Sequence, residues 1–170
     1  MSSVVICPYS SEWPGMFQAL REELLAAFTP IAVTVEHIGS TAVPGLAAKP
    51  VLDILLGAAS LADIEAHIRP LEALGYTYIQ KYERELPTRR YFVKSPEASL
   101  RVHLHGVVTG SHLWRDQLAF RDMLRADAGL RASYQALKLQ LAEAFADDKA
   151  AYTAAKGPFI QAALRTPTSD

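Results

Sequence analysis

The segment Glu36-His-Ile-Gly-Ser-Thr-Ala-Val-Pro-Gly-Leu-Ala-Ala-Lys-Pro-Val-Leu-Asp53 joins two short apolar runs through a turn of small residues. The turn, Gly39-Ser40-Thr41, follows a β-like stretch, and Asp53 lies inside the apolar run 51–56. Backbone N–H groups of a small-residue turn bind anions, and a carboxylate in an apolar strand is costly unless it is hydrogen-bonded, neutral or bound to a cation. The segment therefore predicts phosphate binding with metal chemistry beside it.

Length, composition and charge argue against a duplex nucleic-acid-binding protein, a membrane protein and a disulfide-stabilised protein. The chain has 170 residues, of which 50% are apolar, and its formal net charge is −1, which gives no electrostatic footprint for duplex nucleic acid or for an anionic membrane. A single cysteine, Cys7, excludes an internal disulfide. The N-terminus does not resemble a signal peptide, and no apolar run approaches the roughly 20 residues of a membrane helix. We expect a cytoplasmic protein without membrane contact.

The hydrophobic pattern predicts an α+β fold, a small mixed β-sheet of about five strands flanked by helices, with a helical C-terminal half. Strands are expected at 32–38, 51–56, 76–80, 89–94 and 100–107. Helices are expected at 12–28, from 61 to about 74 with a kink or restart at Pro70, at 111–126, at 131–146, and at 148–164 with an interruption at Gly157-Pro158. We expect residues 1–165 to form one domain and residues 166–170 to form a disordered tail.

The strand expected at 100–107 alternates strictly between apolar and polar residues. Arg101, His103 and His105 lie on one face. They are expected to line a cleft beside Asp53, with the histidines as metal ligands or acid–base groups and Arg101 as an anion clamp. A solvent-exposed sheet face is the alternative interpretation.

The residues expected to bind phosphate lie around the small-residue turn. Gly39 adopts backbone angles that other residues resist, and Ser40 and Thr41 add hydroxyl donors. Lys49 precedes the Asp53 strand and neutralises phosphate as a point charge, unless it is simply solvated. Arg90 extends this basic rim from a neighbouring strand.

Other polar residues have two interpretations. His37 is either a ligand or a hydrogen-bonded pin for the turn. Lys138 lies one helical turn beyond Tyr134, and Lys156 lies one turn beyond Tyr152. Both pairs fit a cation placed at the edge of a cleft by an aromatic ring beneath it, although most such lysines are solvated.

The opening segment resembles the signature of the GrpB family. Further motifs that carry the resemblance are Tyr9 to Pro14, Arg90-Tyr-Phe92, His103-Leu-His105, Phe120-Arg-Asp-Met-Leu-Arg125, Tyr134 to Lys138 and Tyr152 to Lys156. The resemblance covers almost the whole chain. It implies a nucleotidyltransferase-like fold of the polymerase-β type. Because some family members are fused to dephospho-coenzyme A kinase, it also implies a functional link to coenzyme A biosynthesis.

The chain departs from the pattern of that superfamily, which has a Gly-Ser turn, then two carboxylates on one strand and a third on a neighbouring strand. Gly39-Ser40 and Asp53 match, but Leu55 takes the place of the second carboxylate, and the strand at 100–107 has no Asp or Glu. One aspartate and two histidines suit a single divalent metal, either magnesium, manganese or zinc. The expected catalytic residues and metal ligands are Asp53, His103 and His105.

Three functions agree with these observations. The first is a metal-dependent enzyme that transfers a nucleotidyl or phosphoryl group, with a nucleotide or another small phosphate-bearing ligand at the Gly39-Ser40-Thr41 turn. The second is a non-catalytic module that binds a nucleotide or a coenzyme A-type ligand. The third is a hydrolase with an Asp/His metal site.

Overall fold

The computed structural model describes residues 4–97 and 99–165, and within them five strands form one mixed sheet. The strands are β1 (Thr34–Ile38), β2 (Val51–Ala58), β3 (Thr77–Tyr78), β4 (Arg90–Lys94) and β5 (Arg101–Val108). Their order is β1-β2-β5-β4-β3, and β2 and β5 run parallel, whereas the other neighbours are antiparallel. The predicted mixed sheet of about five strands is confirmed. The tail expected at 166–170 lies outside the described residues.

Six α-helices lie in the same described residues. They are α1 (Trp13–Phe28), α2 (Leu61–Glu65), α3 (Ile68–Ala73), α4 (His112–Ala126), α5 (Ala128–Ala144) and α6 (Lys149–Arg165). The predicted helical C-terminal half is thus confirmed. None of these helices is both long and apolar enough to cross a membrane.

Of the two expectations about prolines, one is wrong and the other is confirmed. The interruption expected at Gly157-Pro158 is wrong, because α6 runs through Pro158 without a break. An internal proline removes one backbone hydrogen bond, and buried Tyr152 and Ala163 hold the helix on either side of it. After residue 61 the chain restarts before Pro70, which lies in the first turn of α3, where a missing N–H costs little.

The main core lies between one face of the sheet and the first three helices. Trp13, Phe17, Leu24 and Phe28 of α1 follow the helical period and are buried against this face. The sheet contributes Leu52, Ile54, Leu56, Phe92, Val102 and Leu104. Full burial of each such side chain contributes about 1.5–3 kcal/mol. This core fixes which residues of β2 and β5 point away from it.

The opposite face of the sheet carries the polar residues. Asp53 of β2 pairs with His103 of β5, Leu55 pairs with His105, and Tyr91 of β4 pairs with His105 from the other side. Directly paired residues project to the same face of a sheet. A smaller apolar cluster covers part of this face, where Ile38, Leu55 and Val107 pack against Leu113, Trp114 and Leu118 of α4. The rest of the face carries the partly exposed side chains of Asp53, His103 and His105. We call this region the Asp53 cleft.

Candidate functional site

The turn after β1 lies directly against the carboxylate of Asp53. Gly39 has φ 74° and ψ −176°, a combination that side-chain-bearing residues avoid. A Cβ atom at this position would lie 2.7 Å from Oδ2 of Asp53. A glycine is therefore required here both by the backbone conformation and by the close approach of the carboxylate.

A short 3-10 turn, Ser40–Ala42, follows the glycine and leaves two backbone donors unused. The N–H groups of Ala42 and Val43 donate back to the carbonyls of Gly39 and Ser40. Within residues 4–97 and 99–165, the N–H groups of Ser40 and Thr41 have no protein acceptor. Adjacent unpaired N–H groups at the start of such a turn form a concave anion-binding surface.

His37 holds the turn from the other side of β1. Its Nε2 lies 2.9 Å from Oγ1 of Thr41, and its ring stacks on Phe17 with centroids 4.9 Å apart. The pKa of His37 is lowered to about 4, by burial above all and also by the charges of Arg125 and Arg121, against the opposing effect of Asp53. His37 is therefore neutral near pH 7, and the geometry supports the pin interpretation.

Asp53 is joined to a hydrogen-bonded chain of basic groups. Nε2 of His105 lies 3.2 Å from Oδ1 of Asp53, and Nη1 of Arg89 lies 3.3 Å from Nδ1 of His105. Because a guanidinium only donates, Nδ1 accepts, and Nε2 carries the proton that is donated to Asp53. Burial alone would raise the pKa of Asp53, but the hydrogen bond from His105 and the nearby positive charges lower it overall. The carboxylate is ionised at neutral pH.

The structure brings the three expected metal ligands together, with Nδ1 of His103 3.6 Å from Oδ1 of Asp53. Both ring nitrogens of His105 are already hydrogen-bonded. In the described part of the chain, no group of three or more His, Cys, Asp or Glu side chains is arranged to hold a metal ion. These residues therefore do not fit a metal held by the protein alone, and the expected magnesium, manganese or zinc ion stays a prediction.

Three lysines lie near the turn and Asp53, and one of them contacts the turn directly. Lys138 is buried, with only 2% of the residue exposed. Its Nζ donates to Oγ of Ser40 at 2.8 Å and to the carbonyl of Ala47. Lys49 and Lys156 both place their ammonium groups over the ring of buried Tyr152, at 4.9 and 4.7 Å from its centroid. We call Lys49, Lys138 and Lys156 the lysine cluster.

The lysine cluster is electrostatically strained in the absence of a ligand. Burial lowers the pKa of Lys138 to about 7, with the charges of Lys156 and Lys49 acting in the same direction. Burial and Lys49 lower the pKa of Lys156 to about 8, although the charge of Asp53 opposes this. Burial also lowers the pKa of Lys49. Three neighbouring cations thus have one nearby carboxylate between them, and an added anion would relieve their repulsion.

The two predicted arginines lie apart from Asp53. Arg101 begins β5 on the Asp53 face and is exposed at the rim. Arg90 lies on the core-facing side, where its Nε is 2.8 Å from Oε1 of Glu65, so the structure does not bring it to the cleft. Arg89 takes that place, with its guanidinium 4.7 Å from the ring centroid of Tyr91.

Arg89 and Tyr91 were not predicted as site residues, although the pattern of β4 indicates the face on which they lie. Side chains alternate between the two faces of the sheet along β4. Arg89 and Tyr91 therefore project to one face, and Arg90 and buried Phe92 project to the other. The signal is Phe92, because an apolar residue between Arg90 and Lys94 indicates that this face is the core face and that Arg89 and Tyr91 lie on the other.

Comparisons of the sequence identify similar proteins along nearly the whole chain. The sequence profile of the GrpB protein family matches residues 3–166. UPF0157 protein BH1888 of Halalkalibacterium halodurans is 34% identical over 96% of this chain and 82% of that protein. UPF0157 protein YqkA of Bacillus subtilis is 34% identical over 94% of this chain, which spans only 46% of that protein. A dephospho-CoA kinase of Mycolicibacterium paratuberculosis is 33% identical over 95% of this chain and 45% of the kinase.

Two solved structures define the fold. GrpB from Enterococcus faecalis superposes with a TM-score of 0.82 at 32% identity, over 93% of each chain. Cid1 poly(U) polymerase with Mg and 3′-dATP bound superposes with a TM-score of 0.57 at 15% identity, over 81% of this chain and 43% of that enzyme. The low identity to Cid1 supports a statement about fold alone, and the predicted nucleotidyltransferase-like topology is confirmed.

Replacing Gly39 tests the contact between the turn and Asp53. Gly39→Ala is expected to lower the free energy of unfolding by about 1–3 kcal/mol for the backbone strain alone, and by more because the new Cβ collides with Oδ2 of Asp53. Gly45→Ala is the control, since Gly45 also has a positive φ of 82° but nothing within 4 Å of an added Cβ. Urea unfolding of both variants gives the comparison, and equal losses of stability would contradict the close contact.

Proposed function

This chain belongs to the GrpB protein family, and we propose that it binds a nucleotide or another phosphate-bearing small molecule between the Gly39-Ser40 turn and the lysine cluster. The observation that carries the proposal is the lysine cluster itself, in which Lys138 contacts Ser40 of the turn and Lys49 and Lys156 lie within electrostatic range of Lys138 and Asp53. Clustered cations with lowered pKa values are a feature of ligand sites more than of structural ion pairs.

Each part of the proposed site has a separate task. The N–H groups of Ser40 and Thr41 donate to the oxygens of one phosphate, as unpaired turn donors do. Lys138, held by Ser40 and Ala47, places its amino group beside that phosphate, whose negative charge favours the protonated lysine. Lys49 and Lys156 add further charge, so a ligand with two or three phosphates satisfies more of the cluster than inorganic phosphate does.

The tyrosines confine the lysines to this position. Tyr152 is fully buried beneath Lys49 and Lys156, and Tyr134 lies 5.3 Å from Nζ of Lys138. An aromatic face attracts a cation without neutralising it, so the charge remains available to a ligand. Because these side chains are already ordered, little conformational entropy is lost when the anion binds.

Lysine replacement tests the binding proposal. We expect ATP to bind and Lys156→Gln to weaken it about 10- to 100-fold, because one charge-assisted hydrogen bond of about 1.5–3 kcal/mol is lost. Lys81→Gln is the control, since Lys81 is an exposed lysine over the ring of Tyr82. Titration calorimetry with and without EDTA measures the affinities.

The same titrations identify what would reject the proposal. Equal affinity in Lys156→Gln and the native protein would remove the lysine cluster from the site. Failure of ATP, coenzyme A and pyrophosphate all to bind would remove the site altogether. Coenzyme A is included because one relative of this chain is named a dephospho-CoA kinase.

A second candidate function is nucleotidyl or phosphoryl transfer. The position of Asp53 against the turn favours it, and so does the similarity in fold to Cid1, which was observed with Mg and 3′-dATP bound. Here Asp53 and the neutral His103 are the candidate proton acceptors for an attacking hydroxyl group, and His105 orients Asp53. Leu55, buried beneath α4 where the superfamily has a carboxylate, makes transfer the less supported function. No observation specifically favours the Asp/His hydrolase.

Turnover separates the two candidates. If this chain is a transferase, ATP or UTP with magnesium or manganese is consumed, and Asp53→Asn abolishes consumption while ATP binding persists. Turnover that Asp53→Asn leaves unchanged would reject a role of Asp53 in transfer. Ligand binding without turnover in the native protein would leave the binding module as its function.

A further inference from the structure

A cavity of about 390 Å³ lies next to the Ser40–Ala42 turn but not in the Asp53 cleft. Its lining includes Tyr9, His37, Thr41, Arg125 and Arg131. His37 and Ile38 alternate along β1, and Ile38 is the residue that pairs with Asp53, so His37 projects to the opposite face. The turn therefore separates this cavity from the lysine cluster.

The hydroxyl groups of the turn show the same separation. Oγ of Ser40 contacts Lys138 on the cleft side, whereas Oγ1 of Thr41 contacts His37 at the cavity. A ligand in the cavity would thus meet a different set of side chains from one bound at the lysine cluster. Pockets of about 300–1,000 Å³ are typical for small molecules.

Two guanidinium groups of the cavity are held by backbone carbonyls rather than by carboxylates. Nε of Arg125 donates to the carbonyl of Ala42 at 2.9 Å, and Nη1 of Arg131 donates to the carbonyl of Leu124 at 2.9 Å. In the described residues neither arginine has a carboxylate partner within ion-pair distance. Their neighbour Arg121 differs, because it pairs with Glu36 at 2.7 Å and with Asp122 at 2.9 Å.

The remaining lining of the cavity is neutral. Pro14, Ala42 and Pro44 supply apolar walls, and no Asp or Glu takes part. A guanidinium group binds a carboxylate or a phosphate through two parallel N–H donors. A guanidinium that is already anchored loses little conformational freedom when it does so. The cavity combines two anchored positive charges with walls that suit a small organic body.

We propose that this cavity is a second binding site, for a small organic carboxylate or phosphate ester whose oxyanion group is held by Arg125 and Arg131. It accounts for two motifs that the lysine cluster leaves without a role, the segments Tyr9 to Pro14 and Phe120 to Arg125. The proposal does not depend on nucleotide binding at the Asp53 cleft.

The test uses benzoate and phenyl phosphate, two probes with the same ring and different oxyanions. In ¹⁵N NMR titrations, we expect saturable shifts of the Arg125 and Arg131 side-chain resonances and of the Thr41 and Ala42 amides. The probe that binds more tightly identifies the preferred oxyanion. Arg125→Gln is expected to weaken binding at least tenfold, which corresponds to one charged contact.

Two control variants complete the experiment. Arg115→Gln changes an exposed arginine of the same helix, α4, and is expected to leave the affinity unchanged. Lys156→Gln is expected to weaken ATP binding in the Asp53 cleft and to leave the cavity shifts intact, so the two sites fail or succeed separately.

The proposal is overturned if neither probe gives saturable shifts at the cavity, or if the shifts are confined to the Asp53 cleft. It is also overturned if Arg115→Gln weakens binding as much as Arg125→Gln does. If Arg125→Gln does not fold, the location of the shifts in the native protein decides the question, because an adventitious anion on the lysine cluster would not move the Arg125 and Arg131 resonances.

Discussion

The close contact between the Gly39 backbone and the Asp53 carboxylate determines how the rest of the site is arranged. A Cβ atom at position 39 would lie only 2.7 Å from Oδ2 of Asp53. The turn can therefore lie against β2 only with glycine at this position. Oδ1 is held from the other side by His105, which Arg89 orients. The carboxylate is thus hydrogen-bonded through Oδ1 and packed against the turn on the side of Oδ2, and Ser40, with Lys138 bonded to it, follows directly after this glycine.

The electrostatics of the cleft point to an anionic ligand rather than to a protein-made metal site. A nucleotidyltransferase site built on several carboxylates would concentrate negative charge for divalent cations. In this chain Leu55 is buried where the family resemblance implies a carboxylate, and Lys138 of α5 contacts the turn. The fold is therefore like that of the nucleotidyltransferases, while lysines rather than further carboxylates lie near Asp53.

Much of this arrangement could be predicted from the sequence, because periodicity determines which residues share a face. The alternation of β5 placed His103 and His105 on one face, and the parallel pairing of β2 with β5 brings that face to Asp53. Arg90 was predicted at the cleft, but it shares the core face of β4 with Phe92, and the face that meets Asp53 carries Arg89 and Tyr91. The lysine cluster could not be located from sequence, since Lys138 contacts Ser40 through packing between residues 98 positions apart. The unbroken α6 likewise depends on tertiary contacts that outweigh the cost of Pro158.

The central claim is that the lysine cluster lacks an anion and that a phosphate-bearing ligand supplies it. Proton uptake on ATP binding at pH 8 measures this directly, through calorimetric heats in two buffers with different ionisation enthalpies. In the free protein the pKa values of Lys138 and Lys156 are about 7 and 8, so both are partly neutral at that pH. A bound polyphosphate raises both values, and we predict uptake of roughly one proton per ATP. Identical heats in the two buffers would contradict the account.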